Sequence, residues 1–206
     1  MGIQERKARD FKRREKRILK VASRLFAEKG PDAVTIEMIA EAAEIAKGTV
    51  YKHFITKQEI YACILIDQYD KLAKLVEKNV LPDASLFDQA MQYVLTVFVF
   101  IEENKAYRFC RQSKHLLTQE KLSPAIFERL NQLYQQDYDR LSGIIREGMA
   151  AGLVIDYLSV DELTEISIGM FYGAFDAIME MAVSDKKPIY EKFANLLINA
   201  LLRKDI

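Results

Sequence analysis

Two histidines, His53 and His115, and two cysteines, Cys63 and Cys110, hold most of the classical reactive groups of this 206-residue chain. Neither histidine sits in a recognisable metal-site or nucleophile motif. The cysteines are far apart, form no CxxC pair, and lie in apolar helical surroundings, so neither a disulfide framework nor a zinc site is expected. The sequence predicts no enzyme and no cofactor. What it does supply is a set of groups suited to a polyanion. In "KGTVYKHF", residues 47–54, Val50 and Phe54 stand four apart and predict a core-facing pair. Lys47, Thr49, Tyr51, Lys52 and His53 are then left outside: cations, hydroxyls and an imidazole, the groups that meet phosphates and base edges. Gly48 lets a phosphate or a backbone approach the free N–H groups of a helix start. Thr35 and Lys57 each add a polar group at the start of a neighbouring helix. Any one of these is an ordinary surface residue; their placement on one face is the signal.

The elements that must hold these groups are helices. Thr49, Val50, Tyr51 and Phe54 are strand formers by propensity, but every neighbouring segment has helical periodicity. Phe11, Ile18, Val21, Ala22, Leu25 and Phe26 form an apolar stripe that ends at Gly30-Pro31. Thr35 caps a second helix whose buried face is Ile36, Ile39, Ala40 and Ala43. A break at Glu44-Ile45 and the short 47–54 helix complete a helix-turn-helix spacing. Thr56 and Glu59 form a capping box, with an Ile55–Ile60 staple, opening a long helix to about Val80. Further helices are predicted from Ser85 to about Asn104, over about 105–118, from Pro124 towards Gly152, from Ser159 to about Val183, and from Pro188 onward. The last carries Ile189, Phe193, Leu196, Leu197, Ala200 and Leu201 on one face. "VLTVFVFI" (94–101) reads as a buried helix, because no turn residues bound it. The fold class is all-α, with about nine helices.

Eight glycines and four prolines fit a helical chain, and no secretory leader or membrane-length apolar run is visible, so a soluble cytoplasmic protein is expected. The formal charge of zero conceals an asymmetry. Residues 1–57 carry 14 Lys/Arg against 8 Asp/Glu, and residues 58–206 carry 16 against 22. A basic front end on an acidic remainder points to a polyanionic partner. Within it, "RKARDFKRREKR" (6–17) holds eight basic residues and two acids. It reads equally as an arm touching the DNA backbone and as a solvated helix face.

The runs "VASRLFAEKG" (21–30), "VTIEMIAEAAEIAKGTVYKHF" (34–54) and "TKQEIY" (56–61) together resemble the TetR-type transcriptional repressors. "IIREGMAAGLV" (144–154) resembles the end of that family's seventh helix. The resemblance implies a DNA-binding domain over 1–57 and a helical ligand-binding and dimerisation domain over 58–206. It places Lys47, Gly48, Thr49, Tyr51, Lys52 and His53 on the recognition helix. Tyr51 and His53 would touch phosphates, and Lys47, Thr49 and Lys52 would lie nearest the base edges. Thr35 and Lys57 would clamp the DNA backbone. Two residues depart from the family pattern. Glu44 replaces the usual turn glycine, and Ala46 replaces the usual capping serine, a loss of about 1 kcal/mol.

In the body, Met91, Phe98, Tyr107, Tyr134, Tyr138, Met170, Tyr172 and Phe175 are candidates for an apolar pocket with a few polar groups; plain core packing is the alternative for each. Gly169, Gly173 and Ala177 recur every four residues and, with Phe193, Leu197 and Leu201, could form a two-fold interface. The resulting expectation is a homodimeric repressor on a near-palindromic double-stranded operator, released by a small, largely apolar effector. A helical adaptor without specific DNA binding is the alternative.

Overall fold

A computed structural model describes residues 2–112 and 117–203. Its helices are α1 (Ile3–Lys29), α2 (Ile36–Ala42), α3 (Lys47–Tyr51), α4 (Lys57–Asn79), α5 (Leu86–Glu103), α6 (Lys105–Gln112), α7 (Pro124–Ala150), α8 (Val160–Glu180) and α9 (Lys187–Leu201), with a 3-10 turn at Gln119–Lys121. Among the described residues, β pairing is limited to one antiparallel bridge between Val154 and Leu202. The "VLTVFVFI" run is helical and lies in α5, with Val94, Val97, Phe98, Phe100 and Ile101 buried.

Local chemistry fixes most helix starts. The Thr35 hydroxyl accepts from the Met38 N–H at 3.3 Å. The Ser159–Glu162 capping box closes in both directions, at 3.2 Å and 2.7 Å. Helix ends are less legible. The segment expected to be helical over 105–118 is helical over Lys105–Gln112; residues 113–116 lie outside the described residues, and Leu117 and Thr118 are not helical. α8 ends at Glu180, short of Val183. The Ile55–Ile60 staple does not form: Ile60 is fully buried, but Ile55 is 70% exposed.

The chain forms two compact units, Met1–Asp70 with Asn104–Leu133, and Lys71–Glu103 with Tyr134–Ile206. α4 and α7 each contribute residues to both. In the first unit α1 packs on α2 and α6, and α2 on α3. Ile18, Ala22, Phe26, Val34, Ile39, Val50 and Phe54 form its buried centre. The Phe26 and Tyr61 rings meet at 4.5 Å.

In the second unit α9 packs on α5 and α8. Phe98 is its hub: its ring lies 4.5 Å from Tyr190, 4.4 Å from Phe171, 5.8 Å from Phe175 and 5.7 Å from Phe193. The face α9 buries is rotated from the expected one. Tyr190, Ala194, Leu197 and Ile198 point inward, whereas Leu196 is 65% exposed. The α7 end is set by two glycines. Gly152 adopts φ +71°, the left-handed conformation that terminates helices. A Cβ on Gly148 would lie 2.5 Å from Val154 Cγ2, so a larger residue there requires the Val154 side chain to shift.

Candidate nucleic-acid interface

α2 and α3 are joined by a tight turn at Glu44, whose φ of +52° is the left-handed conformation usually left to glycine. The turn is closed by the Ile45 N–H donating to the Ala40 carbonyl at 3.0 Å. Glu44 has a second function that its sequence position did not reveal. Its carboxylate accepts from the Arg17 guanidinium of α1 at 2.5 Å, which offsets the negative charge just before α3. α3 begins at Ala46 with no side-chain cap, as its sequence predicts. Burial of Val50 and Phe54 holds it in place instead.

The outer face of α3 carries most of the expected groups. Lys47, Gly48, Tyr51 and Lys52 are exposed, and Thr49 is partly exposed. Nothing lies within 4 Å of where a Cβ on Gly48 would stand, so that side of the helix start is open. Lys47 is not idle. Its ammonium pairs with the Glu37 carboxylate of α2 and lies 5.8 Å from the centre of the Tyr51 ring. The hydrogen bond from Lys47 holds the Glu37 carboxyl down at about 2, and the same bond raises the Lys47 pKa. Thr35 is exposed at the start of α2.

Two residues are placed differently from expectation. The His53 side chain is only 2% exposed, so it does not stand on the outer face. Its ring stacks on Phe11 of α1 at 3.9 Å, and its Nδ1 atom lies 4.0 Å from a Glu15 carboxylate oxygen. Desolvation lowers its pKa, opposed by Glu15 and assisted by Arg14. The i, i+4 rule assigned Val50 and Phe54 to the core but could not foresee that α1 would extend far enough to cover His53. Lys57 also turns inward. Its ammonium donates to the Pro31 carbonyl at 2.8 Å and the Val34 carbonyl at 3.0 Å, tying the α1–α2 connection to the start of α4.

Next to Lys57, Glu59 is 3% exposed. Its carboxylate accepts from the Ile55 N–H at 2.6 Å and from the Ser123 N–H at 2.9 Å. The Thr56 hydroxyl accepts from the Glu59 N–H at 3.1 Å and donates to the Lys121 carbonyl at 2.8 Å. Half of the predicted capping box forms, the Glu59 N–H to the Thr56 hydroxyl; the carboxylate reaches back to Ile55 instead of Thr56, and its attachment to the start of α7 was not legible in the sequence.

Residues 18–64 match the family model described as bacterial regulatory proteins, tetR family. The front of the chain therefore carries a segment typical of that family, and the relatives it matches are named as transcriptional regulators. Over 185 residues the chain is 23% identical to the HTH-type transcriptional repressor DhaR of Mycobacterium sp. (strain GP1), covering 90% of each chain. A tetR-family regulatory protein from Rhodococcus RHA1 superposes with a TM-score of 0.76 at 21% identity, covering 93% of this chain and 98% of that one. A regulator from Saccharomonospora viridis, solved in complex with choline, superposes with a TM-score of 0.71 at 19% identity, covering 92% and 98%. At these identities the structural likeness establishes the fold.

The candidate pocket residues do not form one set. Phe98 and Phe175 are packed core, and Met170 is 41% exposed. Tyr107 is fully buried in the first unit, edge-on to Tyr69 at 5.5 Å. Met91, Tyr134, Tyr138 and Tyr172 are partly exposed. The Tyr138 hydroxyl bonds to Asp161 at 3.1 Å, and Tyr172 meets Phe171 edge-on at 5.0 Å. Tyr93, not anticipated, donates to Asp137 at 2.9 Å. Of the candidate dimer residues, Gly169, Gly173 and Ala177 are exposed, with Met170 and Ile166 beside them. Leu197 is buried, Phe193 packs on Phe98, and Leu201 is partly exposed, so α9 contributes these to its own unit. Leu196 is the large apolar side chain α9 leaves outside. Burial pushes the Cys63 thiol up to about 12, far from a reactive thiolate. His115 and the Cys110 side chain lie outside the described residues. Among the described residues, no cluster of three or more His, Cys, Asp or Glu is placed to hold a metal, and no helix is long and apolar enough to cross a membrane.

Proposed function

We propose that this chain is a ligand-responsive repressor that binds a near-palindromic duplex operator as a homodimer. One observation carries the DNA reading: α3 presents Lys47, Gly48, Thr49, Tyr51 and Lys52 on one accessible face, beside Thr35, while Val50 and Phe54 anchor its back. Lys47, Thr49 and Lys52 face the base edges; Tyr51 and Thr35 face the backbone. His53 and Lys57 act behind this surface, orienting it. We retain residues 1–57 as the reading segment and 58–206 as the effector and dimerisation segment. The exposed small-residue face of α8, Gly169, Gly173 and Ala177, supports self-association, with Leu196 of α9 taking the place assigned to Leu197. Two copies would set their recognition helices about 34–36 Å apart, matching half-sites one DNA turn apart.

The effector reading is supported by the choline-bound fold neighbour and by tyrosines at partly exposed positions, Tyr134, Tyr138 and Tyr172. An effector releases DNA only if it binds the DNA-incompetent arrangement more tightly than the competent one. Selection of bound duplexes from a randomised pool, followed by gel filtration of the free chain, tests the proposal. A palindromic consensus and a dimer are expected. Recovery of no consensus, with retention of all duplexes alike, would reduce the chain to a helical adaptor.

A further inference from the structure

Glu37 is out of place on a surface offered to a polyanion. It is the second residue of α2, next but one to the capping Thr35, and it is bonded to Lys47, the first residue of α3. The two side chains are 59% and 50% exposed, so both members of the pair stay open to a partner. Hydrogen bonds from Lys47, from the Glu37 N–H and from the Thr35 hydroxyl hold the carboxyl in its ionised form. An ionised carboxylate only accepts hydrogen bonds. Phosphate oxygens are acceptors as well, so Glu37 gains nothing from a DNA backbone and is repelled by it. As an exposed ion pair it adds little to the fold. The donors that a duplex offers in its major groove are the amino groups of cytosine and adenine.

These two amino groups have different neighbours. Adenine N6 stands between two acceptors, its own N7 and the O4 of thymine. Cytosine N4 has acceptors on one side only, the O6 and N7 of the paired guanine, and those are the atoms a lysine bonds. A carboxylate at adenine therefore meets repulsion on both flanks. A carboxylate at cytosine meets it on one flank, where Lys47 covers it. When the Glu37–Lys47 bond opens, the C·G edge takes both halves: an amino donor for the carboxylate and two acceptors for the ammonium.

We propose that Glu37 is a specificity-determining residue that reads a cytosine of the operator through its N4 amino group, with Lys47 on the guanine paired to it. This rests on the DNA reading above and adds a base contact from α2 to the face of α3. Every other edge sets against the carboxylate an acceptor that Lys47 does not cover. An acid so placed lowers affinity for DNA at large and raises the preference for one base pair.

The test begins with duplexes selected from a randomised pool by the full chain. Each position of the selected half-site is then replaced, and each cytosine is separately exchanged for N4-methylcytosine. The methyl group removes the groove-facing N–H and leaves guanine O6 and N7 in place. Wild type is expected to lose about 5- to 100-fold in affinity when one particular C·G pair is replaced or its cytosine methylated. Glu37→Ala is expected to be indifferent to that methyl group and to keep the wild-type preferences at the other positions. Glu37→Gln, whose amide oxygen still accepts, is expected to retain part of the discrimination. Indifference of wild type to N4-methylation at every cytosine overturns the proposal without any variant. Tighter binding of Glu37→Ala to all duplexes by one common factor, with an unchanged consensus and an unchanged response to the methyl group, overturns it too and leaves Glu37 as a restraint on Lys47. So does a Glu37-dependent position occupied by adenine or thymine. In each of these cases the DNA reading stands. Failure of wild type to bind any duplex removes the DNA reading first and this proposal with it.

Discussion

Lys47 of α3 is bonded to Glu37 of the preceding helix, and the same ammonium sits over the Tyr51 ring. On the DNA reading proposed above, this cation is held by an internal anion before DNA arrives. Any phosphate or base edge that takes Lys47 must first break this pair. Glu37→Gln is expected to tighten binding to mixed-sequence duplex by several-fold and to steepen its salt slope by up to about one unit. Titration with a fixed duplex at several salt concentrations measures both. Unchanged values would show that the pair does not restrain Lys47.

The same pair has an acid limit. The Glu37 pKa is depressed from 4.5 to about 2, so its contribution is present above the unfolded value and is lost only as pH falls through about 2. An NMR titration of the Glu37 carboxyl is expected to show a midpoint well below that of an ordinary glutamate, and Lys47→Gln is expected to return it towards 4.5.

His53 has the opposite practical range. Desolvation lowers its pKa, so the folded chain holds it neutral where the unfolded chain would protonate it. The stability from this buried neutral ring is present above the unfolded value, near 6.5, and is lost as pH falls through the lowered folded value. The neighbouring charges are Glu15, which favours the protonated form, and Arg14, which opposes it. Urea unfolding at stepped pH is expected to show stability falling from pH 7.5 towards 5, and His53→Phe is expected to flatten that fall. Equal slopes in the two proteins would remove His53 as the cause.

Lys57→Ala is expected to act on the fold more than on charge. It removes both donors to the Pro31 and Val34 carbonyls, a loss of about 1–3 kcal/mol in urea unfolding. The salt slope of duplex binding is expected to stay at the wild-type value; a fall of one unit would show that Lys57 also meets a phosphate.

Two backbone positions should respond in opposite directions. Glu44→Gly relieves a left-handed non-glycine residue, worth about 1–2 kcal/mol, and forfeits a solvent-exposed pair with Arg17 worth about 0–1 kcal/mol, so a net gain in stability is expected. Gly148→Ala puts a methyl 2.5 Å from Val154 and is expected to cost about 1–3 kcal/mol. Thermal unfolding of both variants checks the signs.

The helices, most of their starts and the exposed side of α3 were legible because they depend on local rules. A hydroxyl before a helix, an acid three residues on and an i, i+4 apolar pair act within one turn. What the sequence could not show was chosen by distant partners. His53 is covered because Phe11 lies on another helix. Lys57 turns inward because two carbonyls more than twenty residues earlier face it. The Glu44 carboxylate is engaged because Arg17 of another helix reaches it. The α9 face was misread by about one position because the Phe98 cluster, not the helix's own pattern, selects which side is buried. The pocket residues dispersed for the same reason: aromatic content marks burial, and burial alone does not distinguish a cavity wall from a packed centre.

Glu59 gives the first compact unit a joint that the proposed 57/58 boundary would cut. One carboxylate ties Ile55 to Ser123, and the adjacent Thr56 holds Lys121. A transplant of the first 57 residues onto another regulator's body would sever this joint, keeping Thr56 and losing both Glu59 and the loop it grips. The graft that keeps the joint whole extends beyond Glu59 and takes residues 121–123 along, so the portable piece of this regulator is discontinuous in sequence.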